Sequence, residues 1–324
     1  MEEIKLFEIC DKKHILTSIY NIINYQEILD DLTLELIDEY SIEDDIKQIL
    51  KLSKNLYLLI CSNKIISFSI ENDFIIIDPN FTKVHYILDK AINLPNEKIA
   101  ITTENSEILI YKIIASNNIS LFTKINIGYS SPLSLYYIEK TNEILIRGFE
   151  QISFMNLNKY TFDYVIKSYN YYIWNSNYNK YLGTHSMENN YCMINDNLLA
   201  MSFSKNVITL INLNSHQIIK NFIDTHDNIT SLIKPENFLD NYFLCSIYSY
   251  DCHGGQYYYF AKAKIIDFGT YNNDSYDNFD IEYNNKIKID KFPISIKLLR
   301  DGIILMLCLK KCGKKFELNI FKFN

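Results

Sequence analysis

Glycine and proline are scarce in this chain, at 8 and 5 of 324 residues. No Gly-rich phosphate-binding loop can be drawn, and the nucleophile-elbow pattern Gly-x-Ser-x-Gly is absent. The turns must therefore be built largely from Asn, Asp and Ser, which bond locally to the backbone; Asn and Asp also tolerate left-handed conformations. Alanine, the best helix former, is also rare. Long apolar runs are missing. The longest clean one, Ile303 to Leu309, falls far short of the roughly 20 residues that cross a bilayer as a helix, so no membrane span is expected. The start, Met-Glu-Glu-Ile-Lys, has no basic region leading into an apolar stretch and does not read as a signal peptide. A basic excess is lacking too: 32 Lys and Arg against 39 Asp and Glu leave a formal charge of −7. Without a global basic field to hold a phosphate backbone, nucleic acid is not an expected partner. Seven cysteines, an odd number, are scattered without a disulfide framework, so a reducing, cytoplasmic setting is expected.

What is present favours strands. Hydrophobic residues make up 48% of the chain, with 26 Tyr and 19 Phe, and Tyr, Phe and Ile suit a pleated, half-buried surface. The main signal is a repeat: a short apolar strand, a polar turn, a mostly apolar strand, a second turn, then an alternating strand. Its clearest copy runs Ile49–Leu52, Leu56–Cys61 and Ile65–Ile70, with turns at Ser53-Lys54-Asn55 and Ser62-Asn63-Lys64. Further copies start at Ile92, Leu135, Cys192, Ile229 and Ile294. The first three step by 42 to 44 residues, the spacing of a four-stranded propeller blade. In such a blade the middle strands are buried on both faces and read as continuous apolar runs, as Leu56–Cys61, Leu198–Phe203 and Ile303–Leu309 do.

One boundary carries a family resemblance. Val207 to Asn214, followed by Thr225-His226-Asp227-Asn228, resembles a WD40 repeat junction. The Trp-Asp pair of that family falls on Ile211-Asn212 and its Gly-His pair on Thr225-His226, so only the His is kept. The chain thus resembles a degenerate WD40-like protein. The expected fold is all-β: a single propeller of four-stranded antiparallel blades over residues 1–324, seven in all once the N-terminal strands are added to the six copies, with six or eight as alternatives. Glu3–Ile9 is expected to pair with Phe316–Phe321 and close the last blade, Leu34–Tyr40 to be an outer strand, and Tyr25–Leu32 a short helix from the spacing of Ile28, Leu29 and Leu32. A pair of β-domains would give the same strand count.

Catalytic and metal patterns fail on spacing. The six histidines are far apart; Cys308 and Cys312 have no second pair; Asp274, Asp277 and Asp280 lack calcium-loop alternation and its glycine. Cys252 and His253 precede Gly254-Gly255, but neighbours on a strand point to opposite faces, so the string reads as a hairpin turn. No cofactor or metal is expected. The run from Glu27 to Asp45 is acidic, and Lys310, Lys311, Lys314 and Lys315 form a small basic cluster; solvated faces explain both. One oversized repeat, Tyr160 to Tyr191, is rich in Tyr among Asn and Ser. Within it Tyr171, Tyr172 and Trp174 are candidate contacts for a partner peptide, because aromatics with a polar tip are enriched at interfaces; core packing is the competing reading. A ring with loops on two faces and no catalytic constellation reads as a non-catalytic scaffold whose partners are other proteins. The alternative is a hydrolase-type enzyme with its site in the central channel.

Overall fold

Every regular element is a β-strand in the computed structural model, which describes residues 6–115, 118–128, 134–148, 151–167, 191–204, 207–223, 228–233, 242–253, 256–267, 292–300, 303–309 and 316–322. The chain divides into two compact units, Met1–Lys167 and Ser168–Asn324.

The first unit holds four antiparallel sheets, each with its strands in chain order. The first comprises β1 (Leu6–Ile9), β2 (His14–Ile19), β3 (Ile22–Ile28) and β4 (Leu34–Ser41). The second comprises β5 (Ile46–Lys51), β6 (Leu56–Cys61), β7 (Lys64–Glu71) and β8 (Phe74–Lys83). The third has β9 (Leu88–Leu94), β10 (Lys98–Thr103), β11 (Glu107–Ala115) and β12 (Asn118–Asn126). The fourth has β13 (Ser134–Ile138), β14 (Glu143–Arg147), β15 (Gln151–Asn156) and β16 (Thr161–Lys167). In the second unit, β17 (Tyr191–Asn195), β18 (Leu198–Ser204), β19 (Val207–Asn212) and β20 (Gln217–Ile223) form another four-stranded sheet. Two sheets of three described strands follow: β21 (Asn228–Ile233), β22 (Tyr242–His253) and β23 (Gln256–Asp267), then β24 (Phe292–Arg300), β25 (Ile303–Leu309) and β26 (Phe316–Lys322).

The sequence repeat maps onto these sheets strand for strand. Each recognised copy corresponds to the leading strands of one sheet, and β4 is the outermost strand of the first, as expected. The N-terminal strand pairs with β2, Leu6 against Ser18 through Ile9 against Ile15, and so opens the first sheet; its expected pairing with Phe316–Phe321 is not among the pairs of the described strands. A four-residue turn makes that local partner cheap to reach, whereas Phe316–Phe321 lies at the far end of the chain. Tyr25–Leu32 is not helical. It is the end of β3 and a turn in which Leu32 takes φ 66° and the Asp31 carboxylate accepts from the Thr33 N–H at 3.0 Å and hydroxyl at 2.6 Å.

The second strand of each sheet explains the packing of the first unit. Successive side chains on a strand point to opposite faces. On β6, Tyr57, Leu59 and Cys61 join Leu16, Ile23 and Tyr25 of the first sheet. Leu58 and Ile60 join Leu88, Ile99 and Ile101 of the third. On β10, Ile99 and Ile101 face the second sheet, while Ala100 packs with Ile144 and Ile146 of the fourth. One strand therefore serves two interfaces, as β6 and β10 do, which is why β6 reads as an unbroken apolar run and β10 carries Ile99-Ala100-Ile101 at its centre.

The innermost strands have a free edge, and neighbouring side chains cap it. Gln48 on β5 donates to the Ala91 carbonyl at 3.0 Å and accepts from the Ala91 N–H at 2.7 Å. Asn93 donates to the Lys51 carbonyl at 2.6 Å, and Lys51 reaches back to the carbonyls of Ile9 and Cys10. Bulges recur as well: in all five four-stranded sheets the ladder between the third and fourth strands shifts register, for example at Tyr25/Gln26 and Leu210/Ile211. A bulge adds local right-handed twist.

Leu58 is fully buried between two sheets. Leu58→Ala should cost about 2–5 kcal/mol, read from the denaturant midpoint, while Ile114→Ala at a position 57% exposed should stay within about 0.5 kcal/mol.

Candidate binding surface

The turns sit at two ends of the sheets, and repeated backbone bonds fix both. At one end lie the turns joining first to second and third to fourth strands. There the N–H groups of Ile28, Ile70, Ile113, Leu157 and Leu213 donate to the carbonyls of Lys13, Asn55, Glu97, Asn142 and Asn197, at 2.7 to 3.1 Å. At the other end, Ile42, Val84 and Ile127 begin the connections that lead to the next sheet. Each is buried, and each donates to the preceding turn, at Asn21, Asn63 and Ser106, over 2.8, 2.8 and 2.9 Å.

Asparagine does the work expected of it in the turns. Asn156 accepts from the N–H groups of Asn158 and Lys159 at 2.9 and 3.3 Å, and Asn212 accepts from Asn214 and Ser215 at 2.9 and 3.1 Å. These two residues occupy the same place, at the end of the third strand, where the WD40 pattern has Asp. The amides also bond across to the neighbouring turn: Asn142 donates to Asn158 at 2.9 Å, and Asn214 to Asn197 at 3.0 Å. In the sequence, the shared string Asn-Leu-Asn at 156–158 and 212–214 was the available signal.

The candidate contacts Tyr171, Tyr172 and Trp174 lie outside the described residues, in the segment that leads from β16 to β17. So do Lys310, Lys311, Lys314, Lys315, Gly254, Gly255 and the three aspartates at 274, 277 and 280. The hairpin expected around Gly254-Gly255 is formed by β22 and β23, with His253 opposite Gln256. The acidic N-terminal run falls on β3, β4 and the turns after them.

Titratable groups in the described part are shaped by burial. The Cys10 and Cys61 thiols are each pushed up to about 12 by burial, so neither is a ready nucleophile at neutral pH. Burial pushes Arg147 on β14 down to about 10 and raises the Asp89 carboxyl on β9, the latter opposed by Lys90 and Lys47. Among the described residues, no group of three or more His, Cys, Asp or Glu could hold a metal ion, and no helix is long and apolar enough to cross a membrane. Two cations bridge sequence-distant segments. Lys124 reaches Glu107 at 2.6 Å and the Tyr86 hydroxyl at 3.0 Å; Lys98 donates to the Tyr160 hydroxyl at 2.9 Å and sits 4.1 Å from the centre of the Phe122 ring.

The sheets define a class: a WD40-like β-propeller with four-stranded antiparallel blades. Comparison with solved structures agrees. The chain is similar to the WD40 β-propeller domain of Doa1, at a TM-score of 0.62 and 8% identity over 100% of this chain and 94% of that one. It is also similar to a chain in the crystal structure of the mitotic checkpoint complex, at a TM-score of 0.61 and 10% identity over 100% and 87%. No family profile matches the sequence, and no curated protein matches it. With 1186 solved chains resembling it, the fold is too widely shared to name an activity by itself.

Two outcomes follow for the turns. Asn156→Ala removes the acceptor for two backbone N–H groups and should cost about 1–2 kcal/mol, while Asn156→Asp restores it and should cost less than about 0.5 kcal/mol; thermal melts distinguish them. Asp11 accepts from the N–H groups of Lys13 and His14 at 2.8 and 2.9 Å. Burial alone would raise its carboxyl, but these bonds and the His14 ring hold it below the ordinary value. A depressed folded value means stability that is present above the unfolded value and lost as pH falls through the folded one. The wild type should therefore lose stability below about pH 4, and Asp11→Asn should lose less over that window.

Proposed function

We propose that the chain is a non-catalytic protein-interaction scaffold, one propeller spanning residues 1–324 that presents its connecting loops to other proteins. The observation that carries this reading is the turn architecture. Short turns are locked by recurring backbone bonds at both ends of the sheets, so a surface is held rigid for contact. The similarity to a chain in the structure of the mitotic checkpoint complex supports the same direction, since that chain is part of a complex. Cys10, Cys61 and Cys192 are buried free thiols, which supports a reducing, cytoplasmic setting.

The contact region in this reading is the segment from β16 to β17, with Tyr171, Tyr172 and Trp174 as its anchors. Large, rigid aromatics with polar tips give contact area at low entropic cost. The test is the triple substitution Tyr171→Ala, Tyr172→Ala and Trp174→Ala, followed by affinity capture with mass spectrometry and circular dichroism. A folded variant that loses partners captured by the wild type supports docking. A folded variant with the same partners, or one that no longer folds, contradicts it.

A further inference from the structure

We propose that the outer strand of the first sheet, β4, is a docking edge for an extended, basic segment of another protein whose Lys or Arg residues alternate with apolar ones. The proposal is independent of the aromatic segment after β16.

Three observations meet on this strand. First, β4 pairs on one side only, with β3, and no described strand covers its other edge. Second, it exposes apolar side chains that a solvent-facing edge does not need: Leu36 is 51% exposed and Tyr40 42%. Close by is β8, whose Ile75 N–H donates to the Asp38 carboxylate at 2.8 Å, and on either side of Ile75 lie Phe74 and Ile76, 60% and 49% exposed. Third, the electrostatics are of one sign. From Ile15 to Ile46 the sequence has no Lys, Arg or His, while residues 30–45 carry eight carboxylates. Asp44 and Asp45 pair with Lys64 and Lys47. Glu35, Glu39 and Glu43 are exposed and form no ion pair among the described residues.

Charges on an edge strand ordinarily serve to keep it from pairing. Here they flank exposed Leu, Tyr, Phe and Ile, a combination that rejects an acidic strand and favours a basic one. Main-chain bonds along the free edge would supply affinity, and the carboxylates and apolar side chains the selectivity. Outer strand β12, which also exposes apolar side chains, differs: its Phe122 is occupied by Lys98 and Tyr160, and Lys124 lies on the same strand. A second copy of this chain is a poor occupant, because its net charge is −7.

The test uses the whole chain and a fluorescein-labelled peptide, Lys-Ile-Arg-Val-Lys-Leu-Arg-Ile, with a counterpart carrying Glu at each basic position. Fluorescence anisotropy should show binding of the basic peptide alone, weakening as salt is raised. Glu35→Lys with Glu39→Lys should weaken it by about tenfold or more, and Leu36→Ser with Tyr40→Ser several-fold, with circular dichroism unchanged. Val165→Ser, on the outer strand of the fourth sheet, should leave binding intact. Failure of the wild type to bind the basic peptide, or equal binding of the acidic one, would overturn the proposal. So would insensitivity to both salt and charge reversal, or a concentration-dependent dimer that the reversal abolishes.

Discussion

The apolar contact between adjacent sheets is the interaction on which the first unit depends. A four-stranded sheet of this size cannot hide both of its faces alone, and the strands at its centre are mostly apolar on both faces. Stacking sheets face to face resolves this, with alternate residues of one strand committed to different neighbours. Tyr57 and Leu58 are adjacent in sequence and fully buried, yet they belong to separate clusters. A change at either position disturbs one interface and leaves the other in place. That arrangement gives a repeat structure whose stability is a sum over neighbouring interfaces.

Polar groups then settle what apolar packing leaves open. The inner strands carry unpaired backbone edges, and each group left unmet where it is buried would cost about 1–3 kcal/mol. Gln48, Lys51 and Asn93 meet some of these needs from the adjacent sheet, so the polar bonds also fix the register of one sheet against the next. At the turns, Asn supplies both a donor and an acceptor. That explains how a chain with eight glycines makes so many tight turns. The positive-φ positions include Asn72, Asp73, Asn96 and Asn142, but also Tyr20, Leu32 and Tyr160, where side chains of ordinary bulk are held in the left-handed region.

How legible this was in the sequence depends on burial. A middle strand such as Leu56–Cys61 is plain, because burial on both faces favours apolar residues at successive positions. The outer strands were mostly missed, because exposure relaxes the pattern: most of β12 is in contact with water. The first sheet escaped recognition as a repeat because β2 interrupts its apolar run with Thr17 and Ser18, both buried, Thr17 bonded to Gln26 at 2.8 Å. The bulges between third and fourth strands leave no residue signature at all. The Trp-Asp position was found at Ile211-Asn212, and the structure adds its twin at Met155-Asn156, where Asn keeps the acceptor that Asp provides. In the sequence the acidic run reads as a solvated face, and no pattern in it shows that Leu36 and Tyr40 on the same strand are exposed.

The central claim is that the interfaces between sheets, carried by the second strands, hold this fold together while the outer strands add little. Native-state hydrogen exchange tests it residue by residue. The account predicts that amides of β6, β10 and β14 exchange last and together, through global unfolding, and that those of β4 and β12 exchange early. Protection on β4 and β12 equal to that of the second strands would contradict it.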